Sequence, residues 1–177
     1  VLVGFREIDP RFVADLKSCD TLLPELSQLI VPLANLINST QAKQEIRQIE
    51  FIAGDGPIAL VIRNFITLPE SDLALLREFE LNNPVQLYLQ PGDISTVYPL
   101  NENPKLLSFH LEQHDIHFQF QPLDFIQVNA KINEAMIDLT MDLLQPNADD
   151  VILDLFCGLG NFTLPLAKLA GEVVGVE

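Results

Sequence analysis

Basic residues are scarce in this sequence: 10 lysines and arginines stand against 25 aspartates and glutamates, for a formal charge of −15. A chain so charged repels phosphate backbones, so it does not grip nucleic acid by itself and any such contact has to come mostly from elsewhere. Cysteine occurs only twice, at Cys19 and Cys157. Two thiols so far apart in sequence build no disulfide framework and suit a reducing compartment, which points to the cytoplasm. No apolar run reaches the roughly 18 residues that cross a bilayer, and no charged segment followed by an apolar one marks a signal peptide. Internal repeats, low-complexity tracts and blocks of like charge are missing too. What is present is apolar: 48% of the 177 residues, enough to bury a core in one domain or two small ones and too many for disorder.

The pattern along the chain is α/β, in two regions with a boundary near residues 121–125, giving 1–122 and 123–177. The first opens with extended stretches at 1–5 and 12–16. Apolar residues then recur at helical spacing (Leu22, Leu26, Leu29, Ile30, Leu33, Ile37), with Pro24 suited to an opening turn and Pro32 to a kink or break. Residues 47–53 and 57–64 alternate as strands joined through Gly54-Asp55-Gly56, a hairpin signal. Ser71 opens a helix to about Leu81, with Asp72 near its positive end. A short strand at 86–89 precedes the turn Gln90-Pro91-Gly92-Asp93, and residues 106–113 and 116–121 form a second hairpin around His114-Asp115. His110, His114 and His117 resemble a ligand cluster. On adjacent strands with alternating faces, and with no cysteine near, they read as solvated surface residues instead.

In the second region Asn129 is a helix N-cap, and Ile132, Met136, Leu139 and Leu143 give the apolar stripe of a helix to about Leu144, read as core packing. Pro146 and Asp149-Asp150 lead into DDVILDLFCGLGNF at 149–162. Four of five residues in 151–155 are apolar, as in a strand covered on both faces, and 161–170 suits the following helix. Gly158 and Gly160 lie in the turn between them, where positive φ and bare backbone bring the chain close to a ligand. Asp154 at the strand end accepts from a ligand amine. A second apolar run, Val173-Val174-Gly175-Val176, ends in Glu177, where a carboxylate at a parallel strand tip grips a ribose diol. The pattern D-x-x-x-G-x-G differs from the dinucleotide G-x-G-x-x-G, so S-adenosyl-L-methionine is the expected cofactor rather than NAD. The chain begins at Val1 and stops at the second strand of this unit, as an excised piece of a longer protein would.

The pair FIQVN at 125–129 and DLFCGLGNFTLPLA at 154–167 resembles the RNA uracil-5-methyltransferase family, most closely its 23S ribosomal RNA branch, and the resemblance extends more diffusely over the whole chain. It implies that 1–122 is a central α+β domain, incomplete at its N-terminus, and that 123–177 is the first part of a Rossmann-like methyltransferase domain. Carried over, it implies that Gln127, Phe156, Asn161 and Glu177 contact the methyl donor, while Asp154, Gly158 and Gly160 shape the loop. Cys19, in LKSCDTLLPEL, is similar to the last of four cysteines that hold a [4Fe–4S] cluster in this branch, although Asp20 stands where the family has proline. The other three would lie upstream of Val1.

The family's chemistry is attack of a cysteine thiolate on C6 of a uridine, methylation at C5, and removal of the C5 proton by a general base. Nucleophile and base both lie downstream of the glycine turn in the family. The resemblance therefore implies that this chain alone transfers no methyl and that Cys157 is not the nucleophile. Its substrate would be 23S rRNA, bound by the longer protein. Two other readings stand beside it: a transfer RNA uracil-5-methyltransferase, whose members generally lack the cysteine group, and a non-catalytic interaction module whose acidic surface docks a basic partner.

Overall fold

Alternating apolar residues on either side of Gly54-Asp55-Gly56 form the expected antiparallel pair, β1 (Ile46–Ile52) and β2 (Ile58–Asn64), with Ile52 opposite Ala59. The computed structural model describes residues 1–9 and 11–177. It divides into two compact units, Val1–Ile52 with Pro57–Lys105, and Ala53–Gly56 with Leu106–Glu177.

In the first unit β2 is a central strand, and Ala59, Leu60, Val61 and Ile62 are all fully buried. A strand covered on both faces needs apolar residues at consecutive positions, which this run supplies. β3 (Val85–Gln90) lies parallel to β2, with Leu60 opposite Leu87, and β4 (Tyr98–Pro99) pairs antiparallel with β3. Parallel neighbours need a crossover, and α3 (Glu70–Asn82) supplies it. The helix follows Pro69 at its cap position rather than opening at Ser71. Asp72 does more than face the helix end: it is 1% exposed and accepts the backbone N–H groups of Gln41 and Ala42, each at 2.9 Å.

The helical spacing of 22–37 resolves into α1 (Pro24–Ser27) and α2 (Ile30–Ser39). The break falls at Gln28 and Leu29, not at Pro32, which sits in the first turn of α2, where a missing N–H is harmless. Leu26, Leu29, Ile30, Leu33 and Ile37 are buried.

The second unit contains the hairpin of β5 (Leu107–Leu111) and β6 (Ile116–Phe120), then α4 (Ala130–Leu144), β7 (Val151–Leu155), α5 (Thr163–Ala167) and β8 (Glu172–Val176). β7 and β8 are parallel, with Asp154 opposite Gly175 and Leu155 opposite Val176. One core joins hairpin, helices and strands: Leu111, Ile116, Phe118, Ile137, Met141 and Leu166, flanked by Phe109, Ile152, Leu159, Phe162 and Val173. This shared core is why the compact units divide at Lys105 and Leu106 rather than near 122 and 123. The Ala53–Gly56 turn belongs here as well, since Asp55 N–H donates to the Ser108 carbonyl at 2.9 Å. Gly54 is needed for close approach rather than for positive φ: a Cβ there would lie 2.2 Å from the Ser108 oxygen.

Two expectations of burial change. α4 is capped by Asn129 as read, its side chain accepting from Ile132 N–H at 3.1 Å, but its buried line is Asn133, Ile137 and Met141. The stripe Ile132, Met136, Leu139 and Leu143 is exposed, rotated off the core by about one residue step of 100°. β7 is likewise covered on one face only, with Val151, Leu153 and Leu155 exposed. α5 is also shorter than the expected 161–170. Among the described residues no helix is long and apolar enough to cross a membrane.

Candidate functional site

The strand β7 delivers Asp154 and Leu155 to a turn built from unusual backbone. Phe156, Gly158 and Gly160 have φ of 60°, 55° and 94°, all in the left-handed region. Glycine adopts that region freely, and Phe156 does so against a Cβ penalty of about 1–2 kcal/mol. A Cβ built on Gly158 meets nothing within 4 Å, so open space lies against the backbone there. The Phe156 ring is exposed beside it. Gly160 closes the turn, its N–H donating to the Cys157 carbonyl at 2.9 Å and its own carbonyl accepting from Leu164 N–H at 3.0 Å.

The two acids expected here both arrive, and both are held. Glu177 follows β8, and its Oε2 accepts the Gly158 N–H at 2.8 Å, so the carboxylate reaches the turn across the strand ends. Asp154 Oδ2 accepts from the Thr163 hydroxyl at 2.6 Å, fixing the carboxylate against the start of α5. Each carboxylate retains acceptor capacity on its remaining lone pairs, which is what binding a hydroxyl or an amine requires.

Asn161 is engaged elsewhere than expected. Its amide forms a reciprocal pair with buried Asn133 of α4, donating at 2.8 Å and accepting at 2.9 Å, so in this structure it ties the turn to the helix. Gln127 is exposed in the segment before Asn129 and makes no side-chain hydrogen bond among the described residues. The turn thus brings together Asp154, Phe156, Gly158, Gly160 and Glu177, with Asn161 committed to positioning the loop.

Three residues of the site were not singled out in the sequence. Thr163 and Asn133 carry common surface chemistries, and nothing in their spacing marks them. Gly175 did carry a signal, a glycine inside an apolar strand, which marks close packing. A Cβ there would come 3.0 Å from Cys157 Sγ and 3.2 Å from Thr163, so only glycine lets the turn sit against β8.

Cys19 lies in the first unit, half-buried, with Sγ 3.1 Å from the Thr21 hydroxyl. That hydroxyl, with the nearby backbone N–H, holds the thiol below its ordinary value. A [4Fe–4S] cluster takes four thiolates and the sequence has two cysteines, so these residues alone do not fit one.

An acid-flanked glycine turn between parallel strands is shared by many cofactor-binding α/β proteins, and comparison narrows the class. Residues 101–177 match the family described as tRNA (Uracil-5-)-methyltransferase. Within that class, the chain is 52% identical over 176 residues to the 23S rRNA (uracil(1939)-C(5))-methyltransferase RlmD of Stenotrophomonas maltophilia (strain K279a), covering 99% of this chain and 40% of that protein. It is 51% identical, with the same coverage, to the RlmD of Xanthomonas campestris pv. campestris (strain 8004). The chain therefore spans about 40% of the length of these curated relatives. The crystal structure of Pyrococcus abyssi tRNA (uracil-54, C5)-methyltransferase in complex with S-adenosyl-L-homocysteine superposes with a TM-score of 0.68 at 16% identity, over 98% of this chain and 52% of that one. The resemblance read from the motifs is borne out. Residues 101–177 match the tRNA (Uracil-5-)-methyltransferase family model, and likeness to 23S rRNA (uracil-C5)-methyltransferases runs along nearly the whole length.

Proposed function

We propose that the chain is part of an S-adenosyl-L-methionine-dependent methyltransferase that acts on C5 of a uridine in 23S rRNA, and that its second unit contributes the donor site. The observation that carries this reading is the open, left-handed turn at Gly158 with the Glu177 carboxylate drawn against it. The residues fit the donor: Glu177 to accept from the ribose diol, the Gly158 backbone and Phe156 to wall the pocket, Gln127 and Asn161 to offer amides, and Asp154 and Gly160 to hold the loop. Gln127 is free to turn toward a ligand, whereas Asn161 would first give up its pairing with Asn133. When bound, the donor supplies an electrophilic methyl group.

The thiolate that adds to C6 and the base that removes the C5 proton are not assigned to any residue of this chain. The 177 residues alone then bind donor without transferring its methyl. Cys19 is proposed as one ligand of a [4Fe–4S] cluster whose other thiolates come from outside these residues. Iron analysis of a longer protein bearing Cys19→Ser checks this: lost iron supports it, and unchanged iron returns Cys19 to an ordinary thiol. RNA contact is likewise proposed to come from outside this acidic stretch.

The test of the reading is transfer of labelled methyl from S-adenosyl-L-methionine to protein-free ribosomal RNA by a longer protein carrying this sequence, with the product nucleoside identified. Recovery of 5-methyluridine is expected, and methylation at any other atom would overturn it. Transfer RNA is assayed in parallel, because the matched family's description and the superposed structure both name tRNA; the 52% identity to rRNA enzymes favours rRNA. Glu177→Ala is expected to weaken donor binding by about 1–3 kcal/mol, the range for a hydrogen bond to a charged group. Glu177→Gln keeps an acceptor for Gly158 N–H and so separates loss of the diol contact from loss of the loop.

A further inference from the structure

We propose that the tip of the β5–β6 hairpin binds a divalent transition-metal ion of the zinc, nickel or copper kind through His110, His117 and Asp115. The sequence places His110 and His117 on neighbouring strands, and the register puts them directly opposite each other. The His110 N–H points away from β6 and donates to the Asp55 carboxylate at 2.6 Å. The two histidines are therefore a non-hydrogen-bonded cross-strand pair, the closer of the two pair types in an antiparallel ladder, with both side chains on one face. Their rings stack 3.8 Å apart and 3° from parallel.

Asp115 completes the set from the turn. Its backbone is left-handed, with φ 47° and ψ 54°, at the end of the 3-10 turn Glu112–His114. Its Oδ1 lies 3.8 Å from His110 Nε2, too long for a hydrogen bond. One ligand atom from each of His110, Asp115 and His117 lies within 4.8 Å of the others. Ligand atoms about 2.0–2.2 Å from a tetrahedral zinc stand roughly 3.3–3.5 Å from one another. Closing onto an ion thus takes about an ångström of movement together with a tilt of the two stacked rings, so that their in-plane lone pairs converge. The Asp115 side chain, 88% exposed, is free to make it.

A second observation points to a ligand at the same place. His110 Nε2 is shielded from solvent and has no hydrogen-bond partner among the described residues. A ring nitrogen facing a carboxylate without bonding it is the arrangement an intervening cation would satisfy. Two imidazoles and one carboxylate favour zinc, nickel or copper over calcium and magnesium, which take oxygen ligands. The third histidine is not part of the set: His114 Nε2 lies 2.9 Å from Asp138 Oδ1. The nearby Lys168 ammonium bonds the carbonyl oxygens of His114 and Asp115, not the Asp115 carboxylate.

Calorimetric titration of the 177-residue chain with zinc chloride tests the site, with magnesium chloride as control. The expected result is one zinc equivalent per chain, no magnesium binding, and a higher melting temperature in zinc. His117→Gln and Asp115→Asn, both at exposed side chains, should each weaken zinc binding at least about tenfold. His114→Gln should leave it unchanged. Histidine ring resonances followed by NMR should shift at His110 and His117 first. Zinc binding that survives in His117→Gln, or the absence of saturable binding up to about a millimolar, weaker than any specific metal site, would overturn the proposal.

Discussion

Asp72 shows how much one side chain contributes in this fold. Its carboxylate is buried and holds the backbone N–H groups of Gln41 and Ala42, which have no ladder partner in the turn after α2. Asp72→Ala leaves those donors unsatisfied, and the expected loss is about 3 kcal/mol, read as a lower urea midpoint at constant m-value. An unchanged midpoint would mean that water replaces the carboxylate. Glu80 works in the opposite sense. Burial raises its carboxyl above the ordinary glutamate value, against the pull of the Leu87 N–H and the Asn101 amide. The folded chain therefore holds this proton to higher pH than the unfolded one. Its contribution to stability is greatest in acid and falls as pH rises from the ordinary glutamate value through the raised one. Glu80→Gln should remove that slope, so the difference in urea midpoint between variant and wild type should grow in the variant's favour across that window and then level off. A constant difference would refute it. At this scale the sequence was readable where residue type is itself the chemistry. Asp154, Gly158, Gly160 and Glu177 stood out because acids and glycines at strand ends have few other uses, while Asn133, Thr163 and Asp72 act through partners distant in sequence, and an isolated Asn, Thr or Asp does not name its partner.

Elements were legible through periodicity, and periodicity has a blind side. β1, β2, β5, β6, α4 and β7 all form near the expected residues, because alternation and 3.6-residue spacing are local properties. Which face of α4 packs is not local. Both Ile132, Met136, Leu139, Leu143 and Asn133, Ile137, Met141 follow helical spacing, and the second line wins because it meets Leu111, Phe118 and Leu166. The parallel pairing of β2 with β3 was equally hidden, since a strand's own pattern does not name its neighbour. The ends of α4 make a test with two signs. Asn129 caps the first turn through Ile132 N–H, so Asn129→Ala should cost about 1 kcal/mol. Gln145 ends the helix at φ 47°, donating to the Met141 carbonyl at 2.8 Å. Glycine is the residue this position favours, so Gln145→Gly should stabilise by roughly 0.5–1 kcal/mol. Thermal melts of both variants check this, and a destabilising Gln145→Gly would show that the Gln145 side chain holds more than its backbone conformation suggests.

For the molecule as a whole, charge decides what the two units do alone. Twenty-five acids against 10 bases leave −15 over 177 residues, and four of the basic side chains that could meet a phosphate are already beside acids: Arg11 with Asp9, Lys17 with Asp15, Arg47 with Glu45, Arg77 with Glu70. These are surface pairs worth little for stability. They nevertheless partly neutralise those cations, and the net charge of −15 opposes the approach of a phosphate backbone to the others. Non-specific RNA binding is driven by counterion release at Lys and Arg and weakens steeply with salt. The isolated chain should therefore bind a ribosomal RNA fragment no more tightly than about 10⁻⁴ M at physiological salt, the weak end of non-specific affinity, with at most a shallow salt slope. Filter binding at two salt concentrations measures both quantities. Micromolar affinity with a steep slope would place an RNA surface within these 177 residues and would require local basic clusters to outweigh the net field. Weak, salt-insensitive binding would agree with RNA recognition from outside these 177 residues.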